Sequence, residues 1–454
     1  MKLDRGLSGE TSTRMRRTVA NGVYAIAEYA SQPIGLLLSV PYLLRHMGAA
    51  QFGVWVLASS AVNGGNALST GFSDAAIKYV AMYRGRGDAS GVTRVVRGML
   101  SINLALSVVI AIALWALAPL ATSHIAHIDP TMRYACQLSI RVGSLLLVVR
   151  SIDDVFAGTL RAFEQYGPPV RISIYSRLSS LIATIVLVSR GLGVVEVMLA
   201  TLCISAFAAV AQGFAVRVAA GKITLLPSLH RETLRMIAGF GCFSWLQALS
   251  AVIFGQADRL VIGVLLGAPA VAGYALCDQA AQIIHGTVAA GFHVLFPHLS
   301  ARLESESLTQ VRHTLSTAFK SNAALAMLLG VPIIVLSRPI LALWVGHDFA
   351  QQAWPMFSIL GAGSALLAMN VTAHYGLLAA GRVRLVTSAN LAAGTAMLLL
   401  MILLTPHFGT VGTAAAWLIP GPLTCLLYIP LYRMLRKKSV VCAESQIIPA
   451  MESN

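Results

Sequence analysis

Apolar stretches of about 20 residues or more recur along the whole 454-residue chain. Each is long enough, at 1.5 Å of rise per residue, to cross a hydrocarbon core roughly 30 Å thick. About twelve can be read, over 19–44, 52–77, 98–122, 136–160, 172–189, 193–216, 236–265, 270–299, 316–337, 352–380, 385–405 and 410–432. Leu, Ala, Val and Gly dominate them without the strict alternation of barrel strands, so the chain reads as an all-α polytopic membrane protein. Only 11% of its residues are charged, less than half the roughly 25% of soluble domains. Such a chain cannot clothe a water-facing surface, and a soluble enzyme is excluded.

The formal net charge of +15 then has to be explained. With both termini placed in the cytoplasm, 25 of the 33 basic residues fall in inside segments, from Lys2 and Arg5 through Lys78, Arg97, Arg161, Arg217 and Arg382 to Lys438. Only Arg45, Arg133, Arg190 and Arg338 fall outside. That bias is an orientation signal. Because it is spread over the inside segments instead of forming a patch, no nucleic-acid partner is expected. The first 18 residues are polar and basic without a cleavable signal pattern. Six cysteines, Cys136, Cys203, Cys242, Cys277, Cys425 and Cys442, are scattered singly and suggest neither disulfides nor metal ligation. His124, His127 and Asp129 share an outside loop, a set too common to carry a metal site, and no cofactor is expected.

Shifted by about 219 residues, the sequence meets itself. Gly48 pairs with Gly267, Gly53 with Gly273, Gly71-Phe72 with Gly291-Phe292, Asn103 with Asn322, and Gly158 with Gly376. Six helices per half, an even number, make this a parallel repeat, the kind that in secondary transporters places the substrate between two rocking bundles. The expected organisation is a cytoplasmic segment 1–18, an N-lobe 19–216, a basic inter-lobe linker 217–235, a C-lobe 236–432 and a cytoplasmic tail 433–454. Outside loops are short, leaving no room for an extracytoplasmic catalytic domain. No Gly-x-x-x-x-Gly-Lys-Ser/Thr phosphate loop occurs, so any pumping must draw on an ion or substrate gradient.

Ionisable groups inside a span cost several kcal/mol and ordinarily face a wet cavity or the bundle interior. On the first span Asn21, Glu28, Gln32 and Ser39 share a face; on the seventh Gln247, Phe254 and Asp258 do so, with Gln247 opposite Glu28 in the repeat. The eighth carries Asp278, Gln282 and His285 at i, i+4 and i+7, and the tenth Asn370 and His374. Aligned polar stripes from both halves fit a water-filled cleft, although each can instead be an interhelical hydrogen bond.

Four arginines lie within spans: Arg141, Arg150, Arg177 and Arg259. Arg150 reaches Asp153 or Asp154 at i+3 or i+4, which favours a structural ion pair. Arg141 and Arg177 have no sequence-local acid. A guanidinium facing a cavity binds phosphate through two parallel charge-assisted bonds. The reading is therefore that Arg141, Arg177 and Arg259, with Arg150, hold an anionic substrate, while Glu28, Asp258, Asp278 or His285 bind a coupling cation.

The run Gln256-Ala257-Asp258-Arg259-Leu260-Val261-Ile262-Gly263, followed by Leu266-Gly267 and Gly273-Tyr274-Ala275, resembles the polysaccharide transporters. These are the lipid-linked oligosaccharide (O-antigen type) flippases of the multidrug-oligosaccharidyl-lipid-polysaccharide exporter superfamily. Tyr42 to Gly48, Phe52-Gly53-Val54-Trp55 and Phe408 to Ala415 resemble it as well. The resemblance implies two six-helix lobes that move undecaprenyl-diphosphate-linked glycan between the leaflets of a bacterial inner membrane, beside membrane lipids and a glycan polymerase with its chain-length machinery. No enzymatic activity is implied. Competing readings are a cation-coupled exporter of amphiphilic drugs on the same fold and a non-transporting subunit of a glycan-assembly complex.

Overall fold

In the computed structural model, the residues described are 35, 39–69, 79–80, 82–124, 130–163, 165–221, 226–228, 245–246, 248–250, 252–292, 295, 299 and 308–434. Asn21, Glu28, Gln32 and Gln247, named above, lie outside them, as do His127 and Asp129. The described residues are almost wholly helical, and among them eight helices are long and apolar enough to cross a membrane. The protein is thus a multi-pass, all-α membrane protein of about twelve spans.

Residues 39–69 are helical on either side of Gly48, whose φ of 75° separates α1 (described over 39–47) from α2 (described over 49–69). Next come α3 (Ala89–His124), α4 (Pro130–Ala162), α5 (Gly167–Ser189) and α6 (Val194–Ala220). α7 (Ala248–Leu266) contains a π-helical turn at Ile253–Ala257, and α8 spans Ala268–Phe292. They are followed by α9 (Leu308–Val335), the short α10 (Ser337–Trp344), α11 (His347–Met369) and α12 (Val371–Ala379). α13 (Val383–Ala416) and α14 (Pro420–Cys425) complete the series. Compact units comprise residues 1–272 and 273–454.

Several helices outrun their apolar cores. The third span begins at Ala89 because Asp88 caps it: its Oδ1 accepts the Gly91 N–H at 2.8 Å and the Ser90 hydroxyl at 2.6 Å. Those two bonds, helped by Arg94 at 3.6 Å, hold the Asp88 carboxyl below its ordinary range. The tenth span divides after Met369, and the cause is local. The Met369 carbonyl accepts the Asn322 amide at 3.2 Å and the Tyr428 hydroxyl at 2.8 Å, so side chains hold the point where α11 gives way to α12. The eleventh and twelfth spans run together as α13, kinked where Pro406 and Gly409 (φ 59°) fall within three residues of each other.

Within residues 1–272, α4 packs on α3 and α6, enclosing Val95, Met99, Phe156, Leu160 and Val216. α2 and α7 lie against each other in antiparallel order along a glycine seam. A Cβ on Gly53 would stand 1.8 Å from the Ala268 carbonyl oxygen, one on Gly263 would stand 2.4 Å from Leu57 Cδ2, and one on Gly64 would touch Val252 at 3.4 Å. Helices this close need small residues, because in lipid it is backbone proximity and dispersion that hold them together. The opposite pattern marks the outside: Phe207 and Phe214 of α6 are 77% and 69% exposed while Gln212 between them is 1% exposed. Large apolar groups face outward and polar ones inward, as a lipid solvent demands.

Within residues 273–454, α11 packs on α9, α10, α13 and α14. Ile284, Val288, Ala326, Ala365 and Ala368 form one cluster, and Leu315, Leu377, Leu427 and Leu431 lie in another. The repeat is visible in backbone detail. Gly48 and Gly267 both have positive φ (75° and 87°), as do Gly191 and Gly409 (77° and 59°), pairs separated by 219 and 218 residues. Asn103 and Asn322, the next such pair, are 1% and 0% exposed.

Candidate functional site

On α4 the residues Arg150, Asp153 and Asp154 cluster within four positions. Arg150 Nη1 donates to Asn63 Oδ1 at 2.9 Å, and the Asn66 amide donates to Asp154 Oδ2 at 3.0 Å. Asn63 and Asn66, at i and i+3, present one face of α2 to this group. Arg150 is also within electrostatic reach of Asp154, Arg177 and Asp153. The structure therefore gathers Arg150, Arg177 and two carboxylates across α4 and α5, tied to α2. The two asparagines went unread in the sequence; a pair of amides one turn apart in an apolar span was the available signal. Arg150 Nη1 thus spends one N–H on Asn63, and a guanidinium carries five in a planar fork.

Arg141 lies elsewhere. Its guanidinium sits over the Trp115 ring of α3, 5.4 Å from the centroid, and its Nε is buried without a hydrogen-bond partner. Nine residues, about 13 Å along a helix, separate it from Arg150. Cation–π attraction compensates part of the charge. Arg177 thus lies within electrostatic reach of Arg150, while Arg141 is held against α3.

On α7 the π-helical turn Ile253–Ala257 immediately precedes Asp258. Its i→i+5 winding inserts roughly one residue into the helical register, so α-helical spacing does not carry through from Val252 to Asp258. Asp258 is 0% exposed, and its Oδ1 accepts the Arg259 backbone N–H at 2.8 Å. Gln256, one turn of seam away, packs on Gly64.

Among residues 273–454, the Gln282 amide donates to Asp278 Oδ1 at 3.3 Å, and Asp278 is 3% exposed. The His285 backbone N–H donates to Ser364 Oγ of α11 at 3.3 Å. His374 of α12 is close enough to His285 to act on it electrostatically, so two histidines read on separate stripes share one interior. The Asn370 carbonyl accepts the His374 N–H at 2.9 Å, while Asn370 Oδ1 is buried without a partner. Asn322 was not singled out in the sequence except through the repeat; its amide bonds Met369 O at 3.2 Å and Thr372 Oγ1 at 3.0 Å. No group of three or more metal-ligating side chains occurs among the described residues.

The fold has solved counterparts. A multidrug resistance MATE family transporter of the MOP superfamily, in an inward-facing conformation, is similar with a TM-score of 0.67 at 17% identity, covering 89% of this chain and 98% of that one. The lipid II flippase MurJ, inward closed, gives 0.69 at 14% identity, over 93% and 91% of the two chains. The eukaryotic MATE transporter AtDTX14 gives 0.64 at 15%, over 93% and 99%. No curated protein matches in sequence. The family model described as "Polysaccharide biosynthesis protein" matches residues 20–303. With more than half of its length so matched, the chain belongs to the polysaccharide biosynthesis protein family.

Proposed function

We propose that the protein is a flippase that carries undecaprenyl-diphosphate-linked oligosaccharide from the cytoplasmic to the periplasmic leaflet of a bacterial inner membrane, by alternating access coupled to a cation. The observation that carries this reading is Arg150, held within an apolar helix by Asn63 of α2, with Arg177 of α5 within electrostatic reach. Guanidiniums held inside a membrane protein suit a diphosphate. Family membership supports a glycan-linked cargo, and the likeness to a lipid II flippase supports a lipid-linked one. In this reading both termini are cytoplasmic and the lobes are 19–216 and 236–432. Arg141 and Arg259 assist in cargo binding, and Glu28, Asp258, Asp278 or His285 take the coupling ion.

The test is a deletion strain complemented with wild type, Arg150→Glu or Arg177→Glu. Deletion is expected to remove surface glycan and accumulate the lipid-linked precursor on the inner leaflet, measured by mass spectrometry. Neither charge reversal is expected to restore export. Unchanged glycan together with altered drug susceptibility would replace this reading with a drug exporter.

A further inference from the structure

His285 and His374 lie within electrostatic reach of each other in an interior with a defined boundary. Ile284 and Val288 of α8 pack with Ala326 of α9, Ala365 and Ala368 of α11 and Val371 of α12. Tyr375, next to His374 and edge-on to its ring at 5.4 Å, donates its hydroxyl to the Ala289 carbonyl one turn beyond His285. That bond ties α12 to α8 at the level of the two imidazoles. Among the described residues His285 Nδ1 is buried without a hydrogen-bond partner, which leaves a ring nitrogen uncommitted there.

The groups facing this nitrogen can be taken element by element. From α12 comes His374 itself, with the Tyr375 hydroxyl engaged by Ala289. From α11 comes Ser364, whose hydroxyl oxygen accepts the His285 backbone N–H. α9 contributes apolar side chains. On α8 the nearest acid is Asp278, two turns away, with Gln282 on its Oδ1. Among the described residues no carboxylate therefore lies beside the imidazoles, and the only ionisable partner of His285 is a second histidine.

We propose that His285 and His374 together hold one proton in the interior of residues 273–454, and that this proton is the coupling cation of the transport cycle. The inference rests on the transporter reading above and deepens it. Imidazole nitrogens take protons or transition metals, whereas alkali and alkaline-earth cations require oxygen ligands. A first proton is shared across the pair; a second is opposed by the charge of the first. A charged pair without a counter-ion is costly in an apolar interior, so protonation favours the arrangement of α8 and α12 in which the rings meet water. A charge on the pair thereby biases a two-state conformational equilibrium.

The test uses the full chain, labelled with 15N-histidine and purified in detergent micelles, with ring nitrogen signals followed from pH 4 to 8. Signals assigned by their loss in His285→Gln and His374→Gln are expected to titrate together, taking up one proton between them. Each substitution is expected to move the midpoint of the remaining ring by more than about half a pH unit, while His313→Gln moves neither. His374→Gln alone suffices if His285→Gln fails to fold. An unmoved His285 midpoint in His374→Gln, or rings neutral over the whole range, overturns the proposal. So does capture of both rings by one equivalent of Zn2+, which would make the pair a metal site. Coupled titration in a protein whose deletion leaves glycan export intact would keep the proton site and remove the glycan reading, so the two fail separately.

Discussion

Replacing Gly53 with alanine adds one methyl where α2 meets the start of α8. That Cβ would sit 1.8 Å from the Ala268 carbonyl oxygen and 2.4 Å from its carbon. Contact distances between non-bonded atoms begin near 3.4 Å, so the backbones must part by about 1.5 Å, and no rotamer can absorb the move because the obstacle is main chain. Overpacking of this kind costs about 2–3 kcal/mol. Gly263→Ala meets Leu57 Cδ2 at 2.4 Å, the far end of a flexible side chain, and is expected to cost about 1 kcal/mol. Gly85→Ala meets nothing within 4 Å at an exposed position and should lie within about 0.5 kcal/mol of wild type. Thermal unfolding of the three purified variants in one detergent gives the ranking. If Gly53→Ala melts with Gly85→Ala, or above Gly263→Ala, the close approach of α2 to Ala268 is refuted.

Asp88→Ala should loosen the first turn of α3, read as faster amide exchange at Gly91. Because the Asp88 carboxyl is held below its ordinary value by Ser90, Gly91 and Arg94, its contribution is whole at neutral pH. It is lost as pH falls through its folded value, which lies below the ordinary carboxylate range; protection of Gly91 that is the same in Asp88→Ala and wild type at neutral pH would refute the cap. Asn322→Ala and Tyr428→Phe each remove one donor from the Met369 carbonyl, at about 0.6–1.7 kcal/mol apiece. The double variant should cost more than their sum, because only then is that oxygen left unsatisfied. Asn63→Leu, which takes away the acceptor of Arg150, should weaken glycan export while Asn63→Asp retains it, in the complementation assay described for the arginines.

Legibility followed the physics of each signal. Spans were plain because bilayer thickness imposes a length on apolar runs, and Gly48 with Gly267 announced the repeat because a positive φ selects glycine in both halves. The ends of α3 were missed because Asp88, Ser90 and Arg94 are polar and hydropathy is blind to a capped helix that continues into water. Arg150 was read toward its own helix, since i+3 and i+4 neighbours are all a linear sequence displays, whereas Asn63 lies 87 residues away. The π turn of α7 at Ile253–Ala257 was not legible, because periodicity arguments assume one winding throughout. His285 and His374 were each noticed as polar residues in apolar helices; only the fold could make them neighbours.

One feature of the α3 end has mechanical weight. Arg97 Nε donates to the Leu226 carbonyl at 2.8 Å, and the Ser228 N–H returns a bond to the Arg97 carbonyl at 3.4 Å. A two-point clasp of this kind pins the chain beyond α6 to a helix already buttressed by α4. Leu226 and Ser228 are thereby tied to move with α3, and Arg97→Ala would remove one of the two points while leaving the Ser228 N–H on the residue-97 carbonyl.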